Sequence, residues 1–439
     1  MNDLQEQDYI DILREELVPA LGCTEPIAIA YASAQARQVL GMFPEGIDIC
    51  CSGNIIKNVK GVVVPNSGGL KGVGVAAVLG VIGGNADREL EVLEEIEPVH
   101  IRKTTELLDR GFFTCRLQEN VANLYIVATV WAGSHSASVT IINRHTLITE
   151  IKKDGAVIYQ KQNSDQSDKV KENTDGKTNK RWCLNVAGIL DFARNVKLEK
   201  VKVILDQQIA MNTAIAQKGL ENCYGTQVGS TLLENFGNDV RIRARAYAAA
   251  GSDARMGGCS LPVVINSGSG NQGMTVSLPV LEYAREWKAT EEMKYQALLI
   301  SNLMAIHLKH YIGSLSAFCG AVTAACGAGA AITYMAGGNY EQISHTIVNT
   351  LANVGGIVCD GAKASCAAKI SSAVDAAILA HELSMKNLYF QPGDGIIRED
   401  VESTIQSMGY VGRVGMKSTD MEILNIMMDQ VELCGDDVG

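Results

Sequence analysis

The chain has 439 residues, 47% of them hydrophobic and 20% charged, with a formal net charge of −11. That length exceeds one small core and implies two or three domains of ordinary globular composition rather than a disordered chain. The acidic balance argues against a nucleic-acid or anionic-membrane partner, since both need clustered Lys and Arg.

The first sixteen residues are rich in Asp and Glu and hold no apolar run, so they do not read as a signal peptide. Twelve cysteines without such a segment point to a reducing, cytoplasmic setting, where thiols serve metals or catalysis. A first helix is expected over residues 8–20, with Ile10, Leu13 and Leu17 on one face. Leu21-Gly22-Cys23-Thr24-Glu25-Pro26 breaks it, and Pro26 suits the first position of a second helix running to Leu40. Cys23 stands just ahead of that helix, whose N-terminus is expected to lower the thiol pKa and favour a thiolate base or nucleophile. The competing reading is a buried cysteine at a helix start, with Thr24 and Glu25 as caps.

Short β-like runs follow at 47–51 and 62–64, then a buried helix or strand at 73–82. Further strands are expected at 113–117, 124–131, 136–142 and 147–151, where β-branched and aromatic residues alternate with polar ones. Two polar, glycine-rich loops lie among them, Ser52-Gly53-Asn54…Lys57-Asn58 and Asn66-Ser67-Gly68-Gly69. Asn54, Lys57 and Ser67 could orient a small zwitterion there, or the loops are ordinary turns. Residues 1–160 thus read as a mixed α/β domain.

Residues 161–180 contain one aliphatic side chain, Val170, and cannot bury enough apolar surface to order themselves. They mark a linker or loop, 161–182, ahead of a mainly helical domain, 183–439. Helices are expected at 186–195, 205–220, 240–250, 294–311, 343–352, 363–383 and 419–428, the last opened by Thr419…Glu422 at capping-box spacing. The fold class is α+β. The uncharged run 310–340 is long enough to span a bilayer, but Gly, Ala, Ser and Thr dominate it, which reads as a closely packed buried segment.

Gly268-Ser269-Gly270-Asn271-Gln272-Gly273 follows an apolar run and matches the dinucleotide pattern G-x-G-x-x-G, a weak signal alone. A Rossmann helix should start there, yet Pro279 is expected to interrupt it. What remains is a nest of backbone N–H groups holding a carboxylate, with Ser269 and Asn271 as extra donors, or a flexible loop.

Cys319, Cys326, Cys359 and Cys366 form two pairs, each seven residues apart, in stretches of Gly, Ala, Ser and Val. Helical residues seven apart nearly eclipse, so Cys319 and Cys326 would face one way on one helix. Thiolates at such sites suit soft metals. Structural zinc on all four, a saturated cluster on all four, a cluster on three with one open iron, and unligated core cysteines all remain open. Cys50, Cys51, Cys115, Cys183, Cys223 and Cys259 read as small buried hydrophobes, and Cys434 is undecided. The seven histidines show no metal-ligand spacing; His307 and His310 read as solvated or core-capping.

The Leu21–Pro26 motif, Ser267-Gly268-Ser269-Gly270-Asn271-Gln272-Gly273, Cys319-Gly320 and the run Gly356-Ile357-Val358-Cys359-Asp360-Gly361-Ala362-Lys363-Ala364-Ser365-Cys366 resemble the L-cysteine desulfidase family. That family is related to the iron–sulfur L-serine dehydratases of bacteria. The resemblance spans nearly the whole chain. It implies a lyase free of pyridoxal phosphate, with a 4Fe–4S cluster on Cys319, Cys359 and Cys366, one iron open to substrate, and Cys23 in catalysis. Cys326 falls outside the motif. Conversion of L-cysteine to pyruvate, ammonia and hydrogen sulfide is the implied activity, with Asn54, Lys57, Ser67, Ser269, Asn271 and Gln272 as substrate contacts. Serine dehydratases carry a His after the next glycine-rich strand, whereas Gly61-Val62-Val63-Val64-Pro65 offers none. That departure disfavours serine as the main substrate and leaves the base open. L-Serine dehydration and a metal-stabilised binding protein without turnover are the rival functions, and a homodimer is consistent with the resemblance.

Overall fold

The computed structural model describes residues 3–161, 180–313 and 315–428. Most of the expected linker, and Cys434, lie outside them.

Two β-layers and a helical mass build the fold. A six-stranded sheet forms from β2 (Gly46–Cys51), β3 (Phe113–Leu117), β4 (Tyr125–Ala132), β5 (His135–Ile142), β6 (Ile148–Lys153) and β7 (Ala156–Gln160), in the order β3-β2-β4-β5-β6-β7. Only β2 and β3 run parallel. On β4, Ile126, Ala128 and Val130 are buried while their neighbours are half-exposed, the period-two pattern of a one-sided sheet. The Thr24–Leu40 helix covers that face at β4 and β5, and the Val73–Gly83 helix packs on it in turn. Gly80 permits that approach, because a Cβ there would stand 2.3 Å from the Ala30 carbonyl oxygen.

The other β-element is a ribbon of two three-residue strands, β1 (Pro19–Leu21) and β8 (Pro262–Val264), paired antiparallel. Residues 8–20 were expected to be helical throughout. Instead the helix spans Asp3–Glu16, and the chain extends so that Val18, Ala20 and their neighbours pair with a strand almost 250 residues away. Tertiary pairing overrides local helix propensity here. Similarly, the 62–64 run makes only an isolated bridge, Val63 to Lys71.

Among the helices, Gly320–Met335 lies innermost, packed by Gly270–Glu286, Glu291–Ile312, Tyr340–Val354 and Cys366–Met385. Its small residues explain the position: a Cβ on Gly327 would meet Ser301 O at 2.3 Å. The uncharged 310–340 run is therefore a buried core helix with its approach, and no described helix is long and apolar enough to cross a membrane. Two expectations fail locally. Gly270–Glu286 runs straight through Pro279. The last described helix, Lys417–Met427, starts before Thr419, so that residue is no cap.

Candidate functional site

Phe318 and Val358 form an antiparallel bridge. Around it Cys319 N donates to Ile357 O at 3.1 Å and Cys359 N to Ala317 O at 2.6 Å. Two loops forty residues apart in sequence thereby bring Cys319 and Cys359 side by side. Cys366 joins them from the first residue of the Cys366–Met385 helix, its Sγ 3.4 Å from Lys363 N. All three line one cavity of about 1170 Å³. Cys326 does not: it is fully buried inside the Gly320–Met335 helix, where Thr350 is its partner.

The three thiols feel one another. Burial, then the neighbouring Cys359, push Cys319 up to about 12, and burial raises Cys366 as well. Three thiolates cannot coexist in such a place without positive charge beside them. Cations are supplied. Lys309 is buried against Cys359 and Cys319, and burial pushes its ammonium down to about 8 while those sulfurs pull the other way. Lys369 pairs with Asp360 and lies near Cys319 and Cys366. Arg255, 3% exposed, gives its Nε–H to Gly22 O at 2.8 Å. Neither Lys309 nor Arg255 meets a carboxylate within ion-pair distance among the described residues. This donor set fits an iron–sulfur cluster, whose core with three thiolates carries net negative charge. Among the described residues no three His, Cys, Asp or Glu side chains are gathered around a single ion position.

More of the cavity lining comes from the glycine-rich loop. Ser267 and Gly268 both have positive φ, and Ser269 opens the Gly270–Glu286 helix. Gly273 lets that helix press on β8, since a Cβ would stand 2.0 Å from Val264 O. Ser269, Asn271 and Gln272 line the cavity. Gln272 Oε1 accepts from Thr323 at 3.4 Å, while Asn271 Oδ1 is buried without a partner.

Four expected site residues stand elsewhere. Cys23, Asn54, Lys57 and Ser67 are off the cavity wall. Cys23 packs behind it with Val62, Met256 and Cys366, its Sγ 3.8 Å from Met256 Sδ. Burial pushes its thiol up to about 12, overriding the helix N-terminus that was expected to lower it. Ser67 spends its hydroxyl on Leu70 O at 2.9 Å, and Asn54 Oδ1 is buried and unpaired. Lys57 is 1% exposed, paired with Asp420 and pointed at Cys359 O at 3.5 Å. Asn58, its neighbour, does reach the cavity and accepts from Ala362 N at 3.2 Å. Two cysteines assigned to the core, Cys115 and Cys223, are exposed instead.

The sequence reading missed Glu25, His145, Arg255 and Lys309 as cavity residues. Glu25 was read as a cap; it is a buried carboxylate 3.8 Å from His145 Nε2. Lys309 had a usable signal, a cation in a mostly apolar stretch of its helix; Arg255, in a helix with three other arginines, had none. His145, on the β5–β6 turn, had none.

The profile of the serine dehydratase alpha chain family matches residues 87–425. Over nearly its whole length the chain is also similar to bacterial proteins named UPF0597 protein, a name that states no activity. One from Lachnoclostridium phytofermentans is 53% identical over 420 residues, covering 96% of this chain and 99% of the relative. Another from Desulfitobacterium hafniense is 50% identical, covering 98% of each, and one from Oleidesulfovibrio alaskensis is 39% identical, covering 96% and 98%.

Proposed function

We propose that this chain, which belongs to the serine dehydratase alpha chain family, is an iron–sulfur lyase that works without pyridoxal phosphate and removes sulfide from L-cysteine. The observation that carries the reading is the convergence of Cys319, Cys359 and Cys366 on one cavity that Ser269, Asn271 and Gln272 also line, with Cys326 left in the core. A 4Fe–4S cluster held by those three thiolates supplies an iron free of protein sulfur, a Lewis acid for the departing group.

The chain's own residues do the rest. Arg255 and Lys309 are the buried cations that would receive the substrate carboxylate, with Ser269 and Gln272 as neighbouring donors. Loss of the Cα proton and of HS⁻ from Cβ leaves aminoacrylate, which hydrolyses in water to pyruvate and ammonia. Cys23 is placed in catalysis by resemblance. Its position behind Cys366 makes it a close neighbour of the thiol wall rather than part of it.

L-Serine dehydration stands as the second reading, and one observation favours it. The absence of a His in 61–65 spoke against serine, yet the fold delivers His145 to the same cavity from β5–β6. Anaerobic reconstitution followed by parallel assays with L-cysteine and L-serine tests both. Visible thiolate-to-iron absorption with faster sulfide and pyruvate release from cysteine is the expected result. A serine preference moves the assignment to the dehydratase, and failure to take up iron overturns it. A homodimer belongs to the same proposal, read by the mass of the reconstituted protein in solution.

A further inference from the structure

Two acceptor-capable atoms in the cavity lack the donors that burial demands, and a buried carboxylate stands beside one of them. Asn271 Oδ1 and His145 Nε2 are both buried with no hydrogen-bond partner. Glu25 Oε1 faces His145 Nε2 at 3.8 Å, too far for a hydrogen bond. These atoms are gathered by one turn. Thr24 Oγ1 lies 2.9 Å from Gly268 O and 3.2 Å from Glu25 Oε2, tying the start of the Thr24–Leu40 helix to the glycine-rich loop. The His145 ring rests on the same glycine, for a Cβ on Gly268 would stand 3.1 Å from His145 Cε1. Asn271 follows three residues on. Burying an acceptor unpaired is costly, so such a group marks a place where a donor is expected to arrive.

We propose that Glu25, His145 and Asn271 form an ammonium-binding corner that restricts the site to substrates carrying a free α-amino group. This rests on the lyase reading and sharpens it. A primary ammonium brings three N–H donors and one positive charge, matching three acceptors of which one is a carboxylate. Glu25 supplies the negative charge that pairs with the ammonium. Arg255 and Lys309 then take the other end of the zwitterion. A site that pairs its buried acceptors with substrate N–H groups rejects analogues lacking them, because the acceptors are left bare.

The test uses two unreactive probes that differ only in the amine, L-alanine and propionate, titrated calorimetrically into the reconstituted full chain. Wild type is expected to bind L-alanine at least tenfold more tightly. Glu25→Gln, which keeps the side-chain shape, is expected to erase that preference while holding propionate affinity within twofold, so propionate also certifies the fold. Asn271→Leu, on a different element, reports the same preference should Glu25→Gln fail to fold. A retained L-alanine preference in both variants overturns the corner. Turnover separates the two readings. A wild type that eliminates from L-cysteine without preferring the amine sinks only the corner, and one that prefers the amine but releases no pyruvate from cysteine or serine sinks only the lyase.

Discussion

At the residue scale, burial decides what each sulfur can do. Cys23 has a helix N-terminus beside it, worth at most about 2 kcal/mol, yet desolvation drives its thiol up to about 12. The two effects were both readable in principle, but only the fold says which is larger. Cys23→Ala is expected to keep the visible cluster absorption and to lower turnover at least about a hundredfold; bleaching would make Cys23 a ligand instead. Cys326 gives the converse experiment. Because it is packed against Thr350 and away from the cavity, Cys326→Ala is expected to keep full iron content and to cost about 1–2 kcal/mol of stability. Cys359→Ala is expected to lose the iron. Equal loss in both variants would restore a four-cysteine site.

At the scale of elements, the ligand loop is held from outside. The short Gly53–Val59 helix grips residues 359–363 three times: Lys57 Nζ to Cys359 O, Asn58 Oδ1 to Ala362 N, and Lys57 O to Lys363 Nζ at 3.1 Å. Asp420, on the Lys417–Met427 helix, neutralises Lys57, and Gly53 leaves room for Leu424, which a Cβ would meet at 2.3 Å. Removing one partner of a buried pair leaves a bare charge, at about 3–5 kcal/mol. Asp420→Ala is therefore expected to lower stability by about 3 kcal/mol in urea and to speed iron loss, while Asp420→Glu restores much of both. No change in iron retention would show that the grip is ornamental.

A second element-scale prediction concerns pH. Asp253 lies at the end of the Val240–Met256 helix and accepts from Gly229 N at 3.1 Å, capping the Val228–Phe236 helix from across an interface. Burial raises its carboxyl from 3.8 to about 6, against the pull of the Gly229, Thr226 and Val228 N–H groups. Between those values the folded chain binds more protons than the unfolded one, so this group's contribution falls as pH rises from about 4 to 6. Asp253→Asn is free of that loss. Its stability relative to wild type is expected to improve by about 3 kcal/mol between pH 4 and pH 7, read by urea unfolding at each pH. A flat difference would mean that the cap, not the buried charge, dominates.

Across the whole molecule, the sequence was most legible where pattern is local. Strands β2 to β6 and the helix Val186–Asn195 fall where periodicity placed them, and the helix expected at 363–383 is observed as Cys366–Met385. What stayed hidden depends on partners far along the chain. The exposed strand β7 has no buried face to pattern it, and the β1–β8 ribbon joins residues that propensity gives to a helix. The site is the extreme case. His145 sits in an ordinary turn, Arg255 in a basic helix and Glu25 at a cap position, and only their meeting around Gly268 gives them a role. Conversely Lys57 and Ser67 had the composition of a binding loop and were claimed by other partners.

The Lys57–Asp420 pair spans 363 positions of sequence. The lysine that steadies Cys359 therefore waits, during synthesis on the ribosome, for almost the last helix to emerge. A chain released at Met416 is expected to acquire iron poorly even with all three thiols present, as measured by iron per polypeptide after reconstitution. Loading the inorganic centre thus becomes a step that follows translation, and a prematurely ended product carries a thiol wall with nothing to brace it.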